Sequence, residues 1–410
     1  MEAKEFRTHL KNELIPFWNQ LKDEEHGGFY GYADHLGNPD PSADKGCILN
    51  SRILWFYSSA YRLLDDPLLL EMAHHAYRFL KDHFLDSQYG GVYWSVHYDG
   101  SVADDTKHTY NQAFAIYGLA AYYIASGRKS ALDLAYNLYH LIEEKCRDKN
   151  GYLEAFHRDF SPASNEKLSE NGVLAERTMN TLLHVMEAYS ELYRADDFRE
   201  SNSEDNDFQD NVSKENASQE VGNSIRTILE IFKDKIYNGS RMICDVFFDL
   251  EYHSLIDLES YGHDIEASWL IGRACEVLND PAYRKKMAPV ISGLAKGAYE
   301  NSIDTNVYAM NTEAENGRVD AQKIWWVQAE AVTGFYNAYQ EDPAKAEYRE
   351  IAEKIWRYIQ DHVIDKNSGE WIESIPENGT PDEKQALAHA WKCPYHNGRM
   401  YMEMIERLSR

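Results

Sequence analysis

Tyr110-Asn111-Gln112-Ala113-Phe114-Ala115-Ile116-Tyr117-Gly118-Leu119-Ala120-Ala121 decides how this chain folds. The stretch opens on three polar or polar-tipped residues and then becomes apolar around the whole circumference of a helix. A surface helix keeps one polar face, so a helix of this composition is enclosed on most sides. Five other stretches begin in the same way: Asn50-Ser51-Arg52 running to Leu64, Arg177-Thr178-Met179-Asn180 to Tyr193, His263-Asp264-Ile265-Glu266 to Leu278, Trp325-Trp326-Val327-Gln328 to Tyr339, and Tyr395-His396-Asn397 to Leu408. The intervals separating Arg52, Asn111, Asn180, His263, Trp326 and His396 are each long enough for two helices, which is the signature of a repeat.

Echoes inside the intervals define the unit. Asp66-Pro67 matches Asp342-Pro343, and Lys81-Asp82-His83-Phe84-Leu85-Asp86 matches Gln360-Asp361-His362-Val363-Ile364-Asp365. Gly90-Gly91-Val92-Tyr93-Trp94 matches Ser368-Gly369-Glu370-Trp371, and Asp280-Pro281 occupies the equivalent place after the fourth polar-headed helix. Each unit reads as a helix, a short Asp-Pro turn, a second helix and a Gly-aromatic hairpin that returns to the next polar head. Six such units form either an open superhelix or a closed double ring. The apolar girth of the polar-headed helices favours the ring, with those helices inside, parallel, and their N-terminal heads at one mouth. Ordinary helix caps account for Ser, Asn and Asp at these heads, but not for Arg52, His184, Trp326 or His396.

A repeat that runs end to end makes the 410 residues one domain. No apolar run is long enough to span a bilayer, and Met1-Glu2-Ala3-Lys4-Glu5-Phe6 lacks the basic-then-apolar order of a secretory signal. The chain is therefore read as a cytoplasmic monomer without a membrane partner. Cys47, Cys146, Cys244, Cys275 and Cys393 form no metal-ligand spacing and are read as reduced, buried thiols. The Asn-x-Ser/Thr matches at Asn211, Asn216, Asn238 and Asn378 are then accidental. A net charge of −26 argues against nucleic acid, whose binding needs basic patches. The 29 tyrosines and 9 tryptophans suit a neutral sugar, although large core side chains account for most of them. One segment breaks the rhythm: residues 196–223, with nine acids against two bases, are read as a solvated polar loop inserted between the third and fourth units.

The chemistry sits in the heads. His263 and Glu266 are i and i+3 on one helix, so the carboxylate can orient the imidazole. Asn180 with His184, and Trp326 with Glu330, are i and i+4 pairs on single faces, and Arg52 is placed to pair with Glu266 or Glu330. His9, His74, His75, His83, His140 and His362 fall on second helices or terminal stretches and are read as structural. No dinucleotide fingerprint, phosphate loop, H-E-x-x-H or G-x-S-x-G is present, which leaves proton chemistry by histidine and no metal site. Two histidines and an arginine suit removal of a proton beside a sugar carbonyl, the arginine stabilising the enediolate oxygen.

Four stretches carry a family resemblance: Lys323-Ile324-Trp325-Trp326-Val327-Gln328-Ala329-Glu330-Ala331, Gly262-His263-Asp264-Ile265-Glu266-Ala267, Met179-Asn180-Thr181-Leu182-Leu183-His184, and Trp391-Lys392-Cys393-Pro394-Tyr395-His396-Asn397-Gly398-Arg399. Together they resemble the N-acylglucosamine 2-epimerase superfamily over essentially the whole chain, and the last element points to its disaccharide epimerases. The resemblance implies an all-α (α/α)6 barrel, with inner and outer helix rings, that inverts C2 of the reducing-end glucose in β-1,4-linked disaccharides. It implies that no cofactor is required, and it implies catalytic roles for His263, His396, Glu266, His184, Arg52 and Glu330. Tyr110, Asn180, Trp269, Trp326 and Trp391 would bind the sugar. A monosaccharide isomerase or N-acylglucosamine epimerase would use nearly the same histidines, whereas a glycoside hydrolase would recruit Glu266 and Glu330 across a glycosidic bond.

Overall fold

A computed structural model describes residues 1–169, 171–202 and 208–409, with side chains described outside 200–216. The chain begins with α1 (Ala3–His9) and α2 (Ile15–Gln20) and then alternates inner and outer helices: α3 (Cys47–Leu64), α4 (Pro67–Phe79), α5 (Thr109–Ser126), α6 (Lys129–Leu141) and α7 (Met179–Asn202). There follow α8 (Phe208–Ile231), α9 (Tyr261–Val277), α10 (Pro281–Asn301), α11 (Trp325–Glu341), α12 (Ala346–Tyr358) and α13 (His396–Ser409). The six polar-headed stretches are α3, α5, α7, α9, α11 and α13. Each packs on the next, and α13 packs back on α3, so the inner ring is closed and the fold is an all-α (α/α)6 barrel. The sixth outer position is filled by α1, which packs on α13, so that the ends of the chain complete one pair.

Close approach within the inner ring depends on two glycines at the same register point, the tenth residue of α5 and of α11. A Cβ on Gly118 would lie 2.6 Å from the Ser51 carbonyl oxygen of α3, and one on Gly334 would lie 2.8 Å from the Ile265 carbonyl oxygen of α9. Backbone oxygens cannot turn away as a side chain can.

The returns between units repeat as well. Antiparallel bridges at Lys22 with Phe29, Leu85 with Val92, Arg147 with Tyr152, Tyr237 with Cys244, Ile303 with Met310 and Ile364 with Trp371 close six equivalent turns. The fourth residue of an inner helix pins several of them. Gln112 accepts from the Val92 N–H at 2.7 Å and donates to its carbonyl at 2.9 Å, Gln328 does the same to Met310, and Asp264 accepts from the Cys244 N–H at 2.7 Å.

Each turn is also tied by an ion pair to the short segment that leads into an inner helix: Asp23 with Lys45 (2.7 Å), Asp86 with Lys107 (3.1 Å), Asp148 with Arg177 (2.6 Å), Asp304 with Lys323 (3.2 Å) and Glu370 with Lys392 (3.2 Å). The fourth unit carries the same link with its polarity exchanged, Arg241 in the turn and Glu259 before α9, at 2.6 Å. The pairs in the first, second and sixth units are fully enclosed, where losing one partner would strand a charge.

The Asp-Pro turns stand where expected: Asp66 and Asp280 cap α4 and α10, and Asp342-Pro343 lies between α11 and α12, which starts at Ala346. One local expectation is corrected. The polar segment 196–223 is not a loop where it is described: α7 continues to Asn202 and α8 begins at Phe208, and residues 203–207 lie outside the described residues. Asp196 is buried, accepts the Tyr136 hydroxyl and pairs with Arg199 at 2.8 Å. Val221 begins a buried stripe with Ile225, Ile228 and Leu229. Averaged polarity hid that helical spacing.

Gly118→Ala should therefore lower stability by about 1–3 kcal/mol through overpacking, read as a fall in the urea midpoint with an unchanged slope. A variant as stable as the parent would show that α3 and α5 can separate without penalty.

Candidate active site at the N-terminal mouth of the barrel

The sixth residue of five inner helices points into one space: Arg52 of α3, Phe114 of α5, His184 of α7, Glu266 of α9 and Glu330 of α11. Arg399, on α13, completes the ring. Its guanidinium donates to Glu187 and Glu266 in very short contacts and to Glu330 at 2.8 Å, and it stacks 4.8 Å from the Trp269 ring and 4.4 Å from the Tyr395 ring. Glu330 accepts three donors, namely Arg399, His396 Nδ1 at 2.8 Å and Trp269 Nε1 at 3.0 Å. With Glu330 ionised, that set places the His396 proton on Nδ1 and leaves the Nε2 lone pair free.

His263 and His396 come from helices two apart in the ring and meet across one indole. The Trp326 ring lies 4.8 Å from the His263 ring and 5.3 Å from the His396 ring. The His184 ring stands against Tyr110 (5.2 Å) and Phe114 (4.9 Å), and Tyr395 lies 4.6 Å from His396. Arg52 donates to the Tyr110 hydroxyl at 2.8 Å and stacks 4.1 Å from the Phe114 ring. At the rim, Trp391 is 37% exposed and meets Trp94 and Tyr110, each at 6.0 Å.

Burial sets the proton states. It pushes His263 down to about 3, with His184 adding to the shift, and it holds His184 and His396 below the ordinary imidazole value. Glu266 moves the other way, to about 8, because burial and the neighbouring Glu330 charge disfavour its anion more than Arg399 restores it. Burial raises Glu330 as well, against the pull of Arg399; of the two, Glu266 has the Oε2 that is buried without a protein partner among the described residues, which makes it the better place for a shared proton. Glu266, Glu330 and His396 bring donor atoms within 4.8 Å of one another, as a metal site would. Arg399 already donates to both carboxylates, and a guanidinium fills the place of a cation.

The residues singled out in the sequence thus converge, but several pair differently. His263 Nδ1 is bonded to Ser260 Oγ at 2.7 Å, and Glu266 turns to Arg399, because Arg399 offers charge where His263 is neutral. His184 pairs with Glu187 at 2.9 Å rather than with Asn180, whose Oδ1 is buried without a protein partner. Arg52 meets no carboxylate among the described residues, since Arg399 claims Glu266 and Glu330 from the facing helix. Trp269 is 2% exposed and belongs to the floor, lining a cavity of about 250 Å³ with Trp55, Tyr117, Glu187 and Arg399, one to two turns further along the inner helices. Two residues escaped the sequence reading, Glu187 and Arg399. The available signal for Glu187 was its i+3 spacing from His184, and Arg399 stood in a quoted motif without a role.

Known proteins give this barrel a family. The profile described as N-acylglucosamine 2-epimerase (GlcNAc 2-epimerase) matches residues 27–397, and the chain belongs to that family. Within it, the chain is 50% identical to the cellobiose 2-epimerase of Eubacterium cellulosolvens over 398 residues, covering 97% of this chain and 96% of that one. Among solved structures, it resembles a sugar epimerase from a ruminal bacterium with a TM-score of 0.92 at 43% identity, covering 99% of each chain. The cellobiose 2-epimerase of Bacillus thermoamylovorans B4167 matches with a TM-score of 0.88 at 40% identity, again over 99% of each chain.

The imidazole shifts have a stability consequence. A histidine held near 3 when folded and titrating near about 6.5 when unfolded makes the unfolded chain the better proton binder between those values. Its stabilising contribution is complete above the unfolded value and is lost as pH falls towards 3. In urea unfolding at pH 7.5 and pH 5, the buried histidines act against stability in acid and the raised Glu266 acts for it, so His263→Gln should shift the difference between the two pH values towards relatively greater stability at pH 5 than in the parent. An equal difference in both proteins would remove His263 from the explanation.

Proposed function

We propose that this protein, acting as a single catalytic domain, inverts C2 of the reducing-end glucose of β-1,4-linked disaccharides. Cellobiose would become glucosyl-mannose and lactose its C2 epimer. The observation that carries the reading is the Trp326 indole lying against both His263 and His396, which gives two neutral imidazoles access to one bound sugar. High identity to cellobiose 2-epimerases over nearly the full length supports the same substrate class.

In this reading Glu266, protonated at neutral pH, and His263 open the pyranose at its anomeric end. His396 Nε2 takes the C2 proton, its Nδ1–H held by Glu330, and the electron pair moves into an enediolate over O1 and O2. Arg52, which pairs with no carboxylate among the described residues, stabilises the charged oxygen. Rotation about C2–C3 turns the opposite face of the planar enediolate to the protonated His396, which returns its Nε2 proton to C2; this gives the epimer, regenerates the neutral imidazole and balances the atoms without a co-reactant. His184, Tyr110, Asn180 and Trp326 hold the open chain, and Trp391 takes the second sugar at the rim. Hydrolysis is the weaker reading, because Glu266 and Glu330 converge on one guanidinium nitrogen and cannot flank a glycosidic bond.

Incubation with cellobiose should yield a disaccharide of equal mass and no free glucose. Released glucose would support a hydrolase, and turnover of mannose or N-acetylglucosamine alone would support a monosaccharide enzyme. His396→Ala should abolish exchange of the C2 hydrogen with D2O and lower kcat by about 10²–10⁴-fold, and retained exchange would remove His396 from that step. The pH profile of kcat/KM should fall on the acid side as the histidines take protons. It should fall again above about pH 8 as Glu266 loses its own.

A further inference from the structure

Glu187 lies one turn beyond His184 on α7, where it lines the floor cavity with Trp269 and Arg399. Its Oε2 is 2.9 Å from His184 Nδ1 and also accepts the Tyr395 hydroxyl, while Oε1 accepts from Arg399. Burial alone would raise this carboxyl, but Arg399 and His184 overcome it and hold the group far below the usual carboxylate range. An ionised carboxylate has no proton to give, so all three contacts are donations to it. His184 is itself kept neutral by burial. Its single ring proton is then on Nδ1, and Nε2 presents a lone pair.

We propose that Glu187 is a positioning residue that fixes His184 as a hydrogen-bond acceptor for a sugar hydroxyl, beside an Arg52 that can only donate. The chemistry follows from the two side chains. Arg52 and His184 both flank the Tyr110 ring. Together they recognise neighbouring oxygens of unlike character, one hydroxyl that keeps its proton and one oxygen that bears charge. The other tautomer of His184 would offer a second donor and hold both oxygens alike. This assignment rests on the sugar-epimerase reading for its ligand, whereas the tautomer itself does not.

The test uses full-length protein labelled with 15N-histidine, with the His184 signals identified by their loss in His184→Gln. The parent should show a pyrrole-type Nδ1 and a pyridine-type Nε2, and Glu187→Gln should show a mixed or inverted pattern. With cellobiose, Glu187→Gln should lose about 10-fold or more in kcat/KM, while in the His184→Gln background the same change should cost less than about twofold. Glu187→Asp, which keeps the anion, should recover part of the loss. An Nε2–H tautomer in the parent overturns the proposal even if no variant folds, and equal losses in both backgrounds overturn it as well. A normal tautomer in a protein that leaves cellobiose untouched would refute the substrate reading and leave the assignment of Glu187 standing.

Discussion

A single guanidinium organises the barrel axis. Arg399 reaches from α13 to carboxylates on α7, α9 and α11, and all four groups are buried. Three carboxylates against one cation cannot all be charged at low dielectric without large cost, so the centre relaxes by keeping a proton on Glu266. The remaining two anions are committed: Glu330 accepts from His396 and Glu187 from His184. Both imidazoles thereby have Nδ1 engaged by a buried carboxylate, with no protein hydrogen bond at Nε2 among the described residues. The proton states of the site are consequences of how that one cation is shared.

The repeat supplies the precision this requires. Each unit carries a bridged turn and an ion pair to the residues that begin an inner helix, so the six helix starts are tied to the scaffold before any catalytic group is placed. Counting along the helices, the same register position delivers arginine, phenylalanine, histidine and two glutamates to one layer. A common frame with unlike side chains lets chemistry vary without moving backbone. The exchanged polarity of Arg241 and Glu259 shows the same freedom in the framework, since the link survives with its charges reversed.

The barrel and its six inner helices were legible because apolar girth and recurring heads are local patterns. The gathering of Arg52, His184, His263, Glu266, Glu330 and His396 followed from parallel inner helices. Pairing was less legible, because neighbours in space belong to different repeats. Spacing on α9 suggested His263 with Glu266, but Arg399, far along the chain, is the better partner for a carboxylate. Glu187 looked like an ordinary helix-face acid, and only the arrival of Arg399 and Tyr395 gives it a task. The six ion pairs were hidden for the same reason, each joining a turn to a later helix start. The polar stretch after Asp196 misled through composition, which hides a stripe that positional reading of Val221 and Ile225 recovers.

Closure of the ring by α1 and α13 bears on how the polypeptide is made. Within the barrel α1 is made before every other helix and α13 after them, so α1 waits for its partner while the rest of the ring is synthesised. Until α13 emerges, α11 and α3 each lack one neighbour and their oily flanks face water. His396 and Arg399 arrive with that final segment, so a nascent chain holds no assembled centre. Activity and burial of the last seam are acquired in the same event.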